Sequence, residues 1–292
     1  MRLGRTFLIV AAIAVAAGCG HEDVNTTLEK VARARELAAD LTVQFTMASD
    51  AANRSVMAET DDASVEFAKE SRESTAAVQR DVVRLGETLH TLGYAPEEKL
   101  LTEFANNFAE YRKLDDSILG LAVENTNLKA QRLAFGPALD AANAFRDALQ
   151  AVTPANAGDA RHVEALIATA LLTVREIQVL QAPHIANADE AVMTRMEQQM
   201  STSQAGARKA LDELRQLSAP SSRSKVDAAG AALNRFLELN TQLIALSRRN
   251  TNVRSLMLSL DEKRKLTVAC QDSLRALQVA LAKRGYSGIR EH

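Results

Sequence analysis

Apolar residues along this chain recur every three or four positions and hardly ever every second one. That spacing predicts helices and no strand of useful length. Leu28, Val31, Leu37, Leu41, Phe45, Ala48 and Ala52 trace one stripe from Thr27 onward. Glu59-Thr60-Asp61-Asp62 interrupts it, and Asp62 suits the N-cap of a second helix bearing Val65, Val78, Val82, Leu85, Leu89 and Leu92. Gly93 ends that helix, and Pro96 opens a third with Glu97 and Glu98 in its first turn. The third helix extends to about Glu124, with Leu100, Phe104, Phe108, Tyr111, Ile118 and Leu121 expected to face inward. A fourth follows a turn at Asn125-Thr126-Asn127 and reaches Val152, with a kink expected at Gly136-Pro137.

The pattern then recurs. A shift of 125 residues lays Asn125-Thr126-Asn127 on Asn250-Thr251-Asn252, Phe108 on Leu233, Tyr111 on Phe236, Leu114 on Leu239 and Ile118 on Leu243. It also lays Leu133 on Leu258 and Leu149 on Leu274, an internal repeat covering both arms of the Asn-Thr-Asn turn. The second half repeats the order: a helix to about Leu180, a break from Pro183 to Asp189, a helix to Leu217, another ending at Asn250, and a last one from Thr251 to about Arg284. Residues 153–158, small and polar with Pro and Gly, form the expected linker. Helices of roughly 27–36 residues with short connections predict an all-α fold. The expected architecture is antiparallel, up-and-down four-helix bundles, two in tandem from an internal duplication, over 24–152 and 159–284. A helix running straight through the linker would instead join the two end to end.

The N-terminus departs from this pattern. Arg2 and Arg5 precede an uncharged run, Thr6 to Ala17, whose ~18 Å as a helix falls short of a ~30 Å bilayer core. Residues 1–18 therefore read as a signal peptide. Ala16-Ala17-Gly18-Cys19 resembles the bacterial lipobox, which would make Cys19 the lipidated first mature residue, on a polar tether over 19–26. Cleavage after Ala14-Val15-Ala16 is the alternative. Gly20 stands where an inner-membrane retention signal commonly has Asp, so the resemblance favours the outer membrane. The expected location is thus the envelope, facing the periplasm.

Composition narrows the function. Hydrophobic residues are 47% of the chain, aromatics 4%, and Trp is absent, which suits closely packed Ala-, Leu- and Val-rich helices. The net charge of −2 gives no basic face for nucleic acid. The histidines, His21, His90, His162, His184 and His292, show no i,i+4 pair. No motif of metal, nucleotide or nucleophilic chemistry is present. Arg161-His-Val-Glu164 reads as a solvated first turn, His21-Glu22-Asp23 as a hydrated tether, and Met193, Met196 and Met200 as core filler. Cys270 falls on Phe145 in the repeat and reads as a small buried hydrophobe. No cofactor, metal or catalysis is expected.

One resemblance adds to this. Asn53-Arg54, Thr60-Asp61-Asp62, Phe104 to Tyr111, Leu119-x-Leu121-Ala122 and Lys129-Ala130 make residues 24–152 similar to the periplasmic four-helix-bundle sensor domain of methyl-accepting chemotaxis receptors. The resemblance implies a small anionic ligand held between helices, often across a homodimer, by arginines matching Arg54 and Arg132. The second half has no match for Arg54, and Arg132 falls on Met257. With no second apolar span, HAMP-like segment or signalling hairpin among its residues, such a sensor would report through a transmembrane signalling partner. A structural spacer of an envelope complex is the competing expectation.

Overall fold

The computed structural model describes residues 20–287. Cys19 and residues 1–18 lie outside the described residues. Within them the fold is all-α: α1 Gly20–Met57, α2 Asp61–Leu92, α3 Ala95–Glu124, α4 Thr126–Leu133, α5 Leu139–Gln150, α6 Ala160–Ala186, α7 Glu190–Leu217, α8 Arg223–Arg249, α9 Thr251–Leu258 and α10 Arg264–Ser287. π-helical turns over Ala134–Ala138 and Ser259–Lys263 link α4 to α5 and α9 to α10. The expected tether over 19–26 is helical from Gly20. Thr60, not Asp62, caps α2, its hydroxyl accepting from the amide of Ala63 at 3.2 Å. Asp189 caps α7 by accepting from the amides of Ala191 and Val192. Gly93, at φ +69°, closes α2 with the Tyr94 amide donating to the Leu89 carbonyl, a role that favours glycine. Pro183 sits inside the last turn of α6 without breaking it.

The chain folds as two compact units, neither contiguous in sequence. The first takes in residues up to Ala48, Glu73–Glu110 and Leu266 onward; the second is Ser49–Arg72 with Tyr111–Lys265. The expected division at 153–158 falls inside the second unit. There the segment is pinned rather than free, with Ala155 donating to the Leu217 carbonyl at 2.8 Å and Ala219 to that of Thr153 at 3.0 Å.

In the first unit, parts of α1, α2, α3 and α10 bury Leu37, Leu41, Phe45, Leu85, Leu89, Phe104, Cys270, Leu274 and Leu277. Phe45 meets Phe104 and Phe108 edge-on, with centroids 6.0 and 6.1 Å away, an arrangement that matches positive ring edges to negative faces. The inward stripe starts at Val31, because Leu28 is exposed, and on α3 it runs through Leu101 rather than Leu100. Cys270 is fully buried, and burial pushes its thiol up to about 12, which keeps it unreactive.

The last helix is fastened by polar contacts as well. Arg35 donates to the Leu281 carbonyl, Gln278 to the Thr42 hydroxyl at 2.9 Å, and Asn107 to Ser273. Arg284 grips both oxygens of buried Glu97 at 2.7 and 2.8 Å and stacks on Tyr94. The hydrogen bonds from Arg284 hold the Glu97 carboxyl below its ordinary 4.5. A depressed folded pKa means the unfolded chain binds more protons, so this stabilisation is present above the ordinary carboxylate range and lost as pH falls through the folded value. Glu97→Gln should cost about 1–2 kcal/mol at pH 7, low in the range for charge-assisted bonds because Arg284 is partly in solvent. Urea denaturation of both proteins at pH 7 and pH 3 should show that gap closing at the acid pH. A gap of the same size at both would place the effect in packing instead of charge.

In the second unit, α5 packs with helices of the second half of the chain. Ala138, Ala142, Phe145 and Leu149 share one core with Val163, Val174 and Ile177 of α6, Met200, Ala207 and Leu214 of α7, and Leu233 and Phe236 of α8. Ala130 and Ala134 likewise meet Ile185 and Leu243. Around Leu258 of α9 the neighbours are Val56, Ile118 and Ala122, from α1 and α3. Thus α5 packs with α6, α7 and α8, and α10 with α1 and α3. Between α3 and α4, and between α8 and α9, stands a single non-helical residue, Asn125 or Asn250, in the left-handed region at φ 49° and 53°. Asparagine tolerates that conformation better than other non-glycine residues. The expected turn is one residue long in each case.

The two Asn-Thr-Asn segments dock on each other reciprocally. The Thr126 amide donates to the Thr251 hydroxyl at 3.2 Å and the Thr251 amide to that of Thr126 at 3.1 Å. Asn127 and Asn252 exchange amide-to-side-chain bonds at 3.1 Å each way. Their side-chain amides reach Asn250 and Asn125, both at 2.8 Å. Arg249 and Glu124, also 125 apart, pair at 2.7 Å. The π-helical turns obey the same offset, Ala134 matching Ser259, although only the first contains the Gly136-Pro137 expected to distort it.

Candidate functional site

Both arginines singled out from the sequence are already neutralised. Arg54, in the last turn of α1, donates to Glu70 at 2.8 Å, forms an ion pair with Asp50 at 2.9 Å and lies over the Phe67 ring. Its hydrogen bond to the Glu70 carboxylate raises its pKa above the ordinary value. Arg132 bonds Asp61 at 2.8 Å. The two share no partner, and an anion at either would compete with a carboxylate of the protein itself.

A charge pair that sequence reading missed lies deeper. Lys263, at the end of the second π-helical turn, meets Asp115 of α3 at 2.6 Å, with both side chains at most 3% exposed. Ser71 of α2 donates to the other Asp115 oxygen at 3.2 Å, and the Lys263 ammonium lies 5.4 Å from the centre of the Tyr111 ring. Burial pushes the Asp115 carboxyl up and the Lys263 amine down. At the positions 125 residues away the charges are gone. Asn240 stands for Asp115, Phe236 for Tyr111 and Ala138 for Lys263. Asn240 is satisfied by Gln181 at 2.9 Å and by the Met200 sulfur. A lysine with a lowered pKa can serve as base or nucleophile, but this one is sealed from solvent. The repeat alignment could have flagged it, because an Asp-for-Asn difference on a buried stripe stands out.

His184, Ser247 and Glu197 lie in the order of a hydrolytic triad, with His184 nitrogens 2.8 Å from the Ser247 hydroxyl and from Glu197. The rest of the geometry denies that chemistry. Ser247 is fully buried and its hydroxyl also contacts the His184 carbonyl at 2.9 Å, so it presents nothing to a substrate. Arg248 takes both Glu197 oxygens, and its hydrogen bond is the main cause of the lowered Glu197 pKa. The cluster is a polar clamp joining the ends of α6 and α8 to α7.

The open features lie on α5, α6 and α7. A depression of about 180 Å³ between α5 and α6 has an apolar floor of Leu139, Ala142, Phe145, Leu171 and Val174. Its rim is Asn143, Arg146, Arg175 and Gln178, two guanidinium groups and two amides with no carboxylate among the lining residues. Arg175 also borders a groove of about 560 Å³ between α6 and α7, lined by Leu172, Val179 and Leu180 on one side and Gln199, Thr202 and Ser203 on the other. Leu172 and Val179 are each 60% exposed. Glu176, on the groove wall, is occupied by the Ser203 hydroxyl at 2.8 Å. Arg146 reaches Asp147 and Asn143 on its own helix. Among the described residues no helix is long and apolar enough to cross a membrane. Met193, Met196 and Met200 are buried, as the helical stripe predicts. Comparison with known proteins yields no match, either to a family model or to a curated protein.

Proposed function

We propose that this protein is a lipid-anchored, non-enzymatic helical module of the bacterial envelope, facing the periplasm from the outer membrane, that binds a small anionic ligand. The observation that carries this reading is the α5–α6 depression, where Arg175 borders an apolar floor and no carboxylate is among the lining residues; Arg146, on the same rim, is paired with Asp147. Guanidinium groups beside an apolar, low-dielectric surface favour carboxylates. The buried polar clusters at Asp115 and His184 are closed on themselves, which supports binding over catalysis. The resemblance to chemoreceptor sensor domains supports the ligand class and a signalling partner, with the site placed at Arg175 in preference to Arg54 and Arg132. The 125-residue offset shared by helix ends, π-helical turns and reciprocal hydrogen bonds supports a duplicated four-helix module whose two copies have exchanged their fourth helices.

The carboxylate partners of Arg54 and Arg132 favour a second reading, a ligand-free spacer. A thermal-shift screen of organic acids and amphiphilic anions on the lipid-free protein separates the two. A ligand at 100 times its dissociation constant adds about 2.7 kcal/mol, a shift of a few degrees for this size. The shift should persist in Arg54→Ala and shrink in Arg175→Gln. No shift with any compound would leave the spacer. Anchoring is tested by Cys19→Ser, which should move the protein from the membrane to the soluble fraction.

A further inference from the structure

We infer that the ligand is a single-chain amphiphile with an anionic head, free in solution. The head would sit in the α5–α6 depression and the tail would lie along the α6–α7 groove. This rests on the binding reading above and adds the chemical class and the pose. Arg175 lines both features and so joins a recess with no carboxylate among its lining residues to an apolar track. On one side the amides of Asn143 and Gln178 stand beside the head, while Arg146 is held by Asp147 and by the Asn143 oxygen. On the other, Leu172 and Val179 stand two helical turns apart, ~10 Å along α6, with Arg175 between them. Both are mostly exposed, so a hydrocarbon tail laid over them would remove apolar surface from water that the protein leaves uncovered. The groove falls within the size range of small-molecule sites. Its one acid, Glu176, is hydrogen-bonded to Ser203 on the groove wall, where a tail carries no charge to be repelled. The opposite wall, Gln199, Thr202 and Ser203, keeps the groove soluble when empty. A short anion would use only the recess, and an uncharged chain only the track. An amphiphile uses both.

Calorimetric titration of the full-length lipid-free protein tests this with dodecanoate as probe, beside acetate, dodecanol and dodecyltrimethylammonium. Dodecanoate should bind saturably at one site, acetate not measurably, and the cationic amphiphile more weakly than dodecanoate. Arg175→Gln should weaken dodecanoate roughly tenfold or more while leaving dodecanol unchanged, the loss expected for one charge-assisted hydrogen bond. Val179→Asp, at an exposed position, should abolish binding while the helical circular dichroism stays intact. Equal affinity for the cationic amphiphile, or unaltered dodecanoate binding in both variants, overturns the inference. So does binding to phosphatidylglycerol vesicles without binding to monomeric dodecanoate, which would assign the surface to a membrane headgroup. If dodecanoate fails but a short acid from the thermal screen binds, the amphiphile is wrong and the binding reading stands. If nothing binds, both fall.

Discussion

Lys263→Ala is expected to destabilise the protein by about 3–5 kcal/mol at neutral pH, because it leaves Asp115 charged and buried without a counter-ion. The pair sits at 2.6 Å with at most 3% exposure on either side, so water cannot replace the missing ammonium. The loss should shrink in acid. Burial already raises the Asp115 carboxyl above its ordinary 3.8, and removing Lys263 takes away the main influence that lowers it. With a raised folded pKa the native state holds more protons than the unfolded chain, so stability falls as pH rises through the window above that ordinary value. Urea denaturation at pH 7 and pH 4 should find Lys263→Ala far closer to wild type at the lower pH. A second variant checks the cause. Lys263→Met combined with Asp115→Leu should recover most of the loss, since a buried ion pair is often no better than apolar groups of similar volume. If the double variant were as unstable as the single one, packing around Tyr111 and Ser71 would be responsible instead of the charge.

Residues 24–152 and 159–284, made separately, should both fail to unfold cooperatively. The second fragment lacks Phe145 and Leu149, which are fully buried in the core that includes Val174, Leu214, Leu233 and Phe236. Losing one large buried side chain typically costs 2–5 kcal/mol, and here a whole helix is missing from a fold whose total stability is of order 5–15 kcal/mol. The first fragment loses Leu274, Leu277 and Leu281 together with the Arg284–Glu97 pair. Circular dichroism melts should show broad, helix-rich transitions for each piece. A mixture of the two should regain a sharp transition, since each then supplies the other's fourth helix. A sharp transition in either piece alone would show that its fourth helix can fold back on its own half.

The amino-acid pattern alone determined the fold class and most helix positions, because amphipathic spacing is a local property that survives any arrangement of neighbours. It also carried the 125-residue repeat and the place of the Asn-Thr-Asn segments. Periodicity cannot say which helices meet. A stripe such as Ala138, Ala142, Phe145 and Leu149 is equally apolar whether it faces its own half or the other. That choice depends on long-range partners, and the chain passes between the helices on a single left-handed residue, Asn125 or Asn250. Lys263 is an example: in a sequence it reads as part of a solvated run, Asp261-Glu-Lys-Arg264, yet the π-helical turn and Asp115 draw it into the core. Charged residues are the hardest to place from sequence, because their surroundings decide whether they are free. Arg54 and Arg132 looked available until Glu70 and Asp61 were found beside them, and Arg175 stood out only once α5 and α7 supplied the two walls next to it.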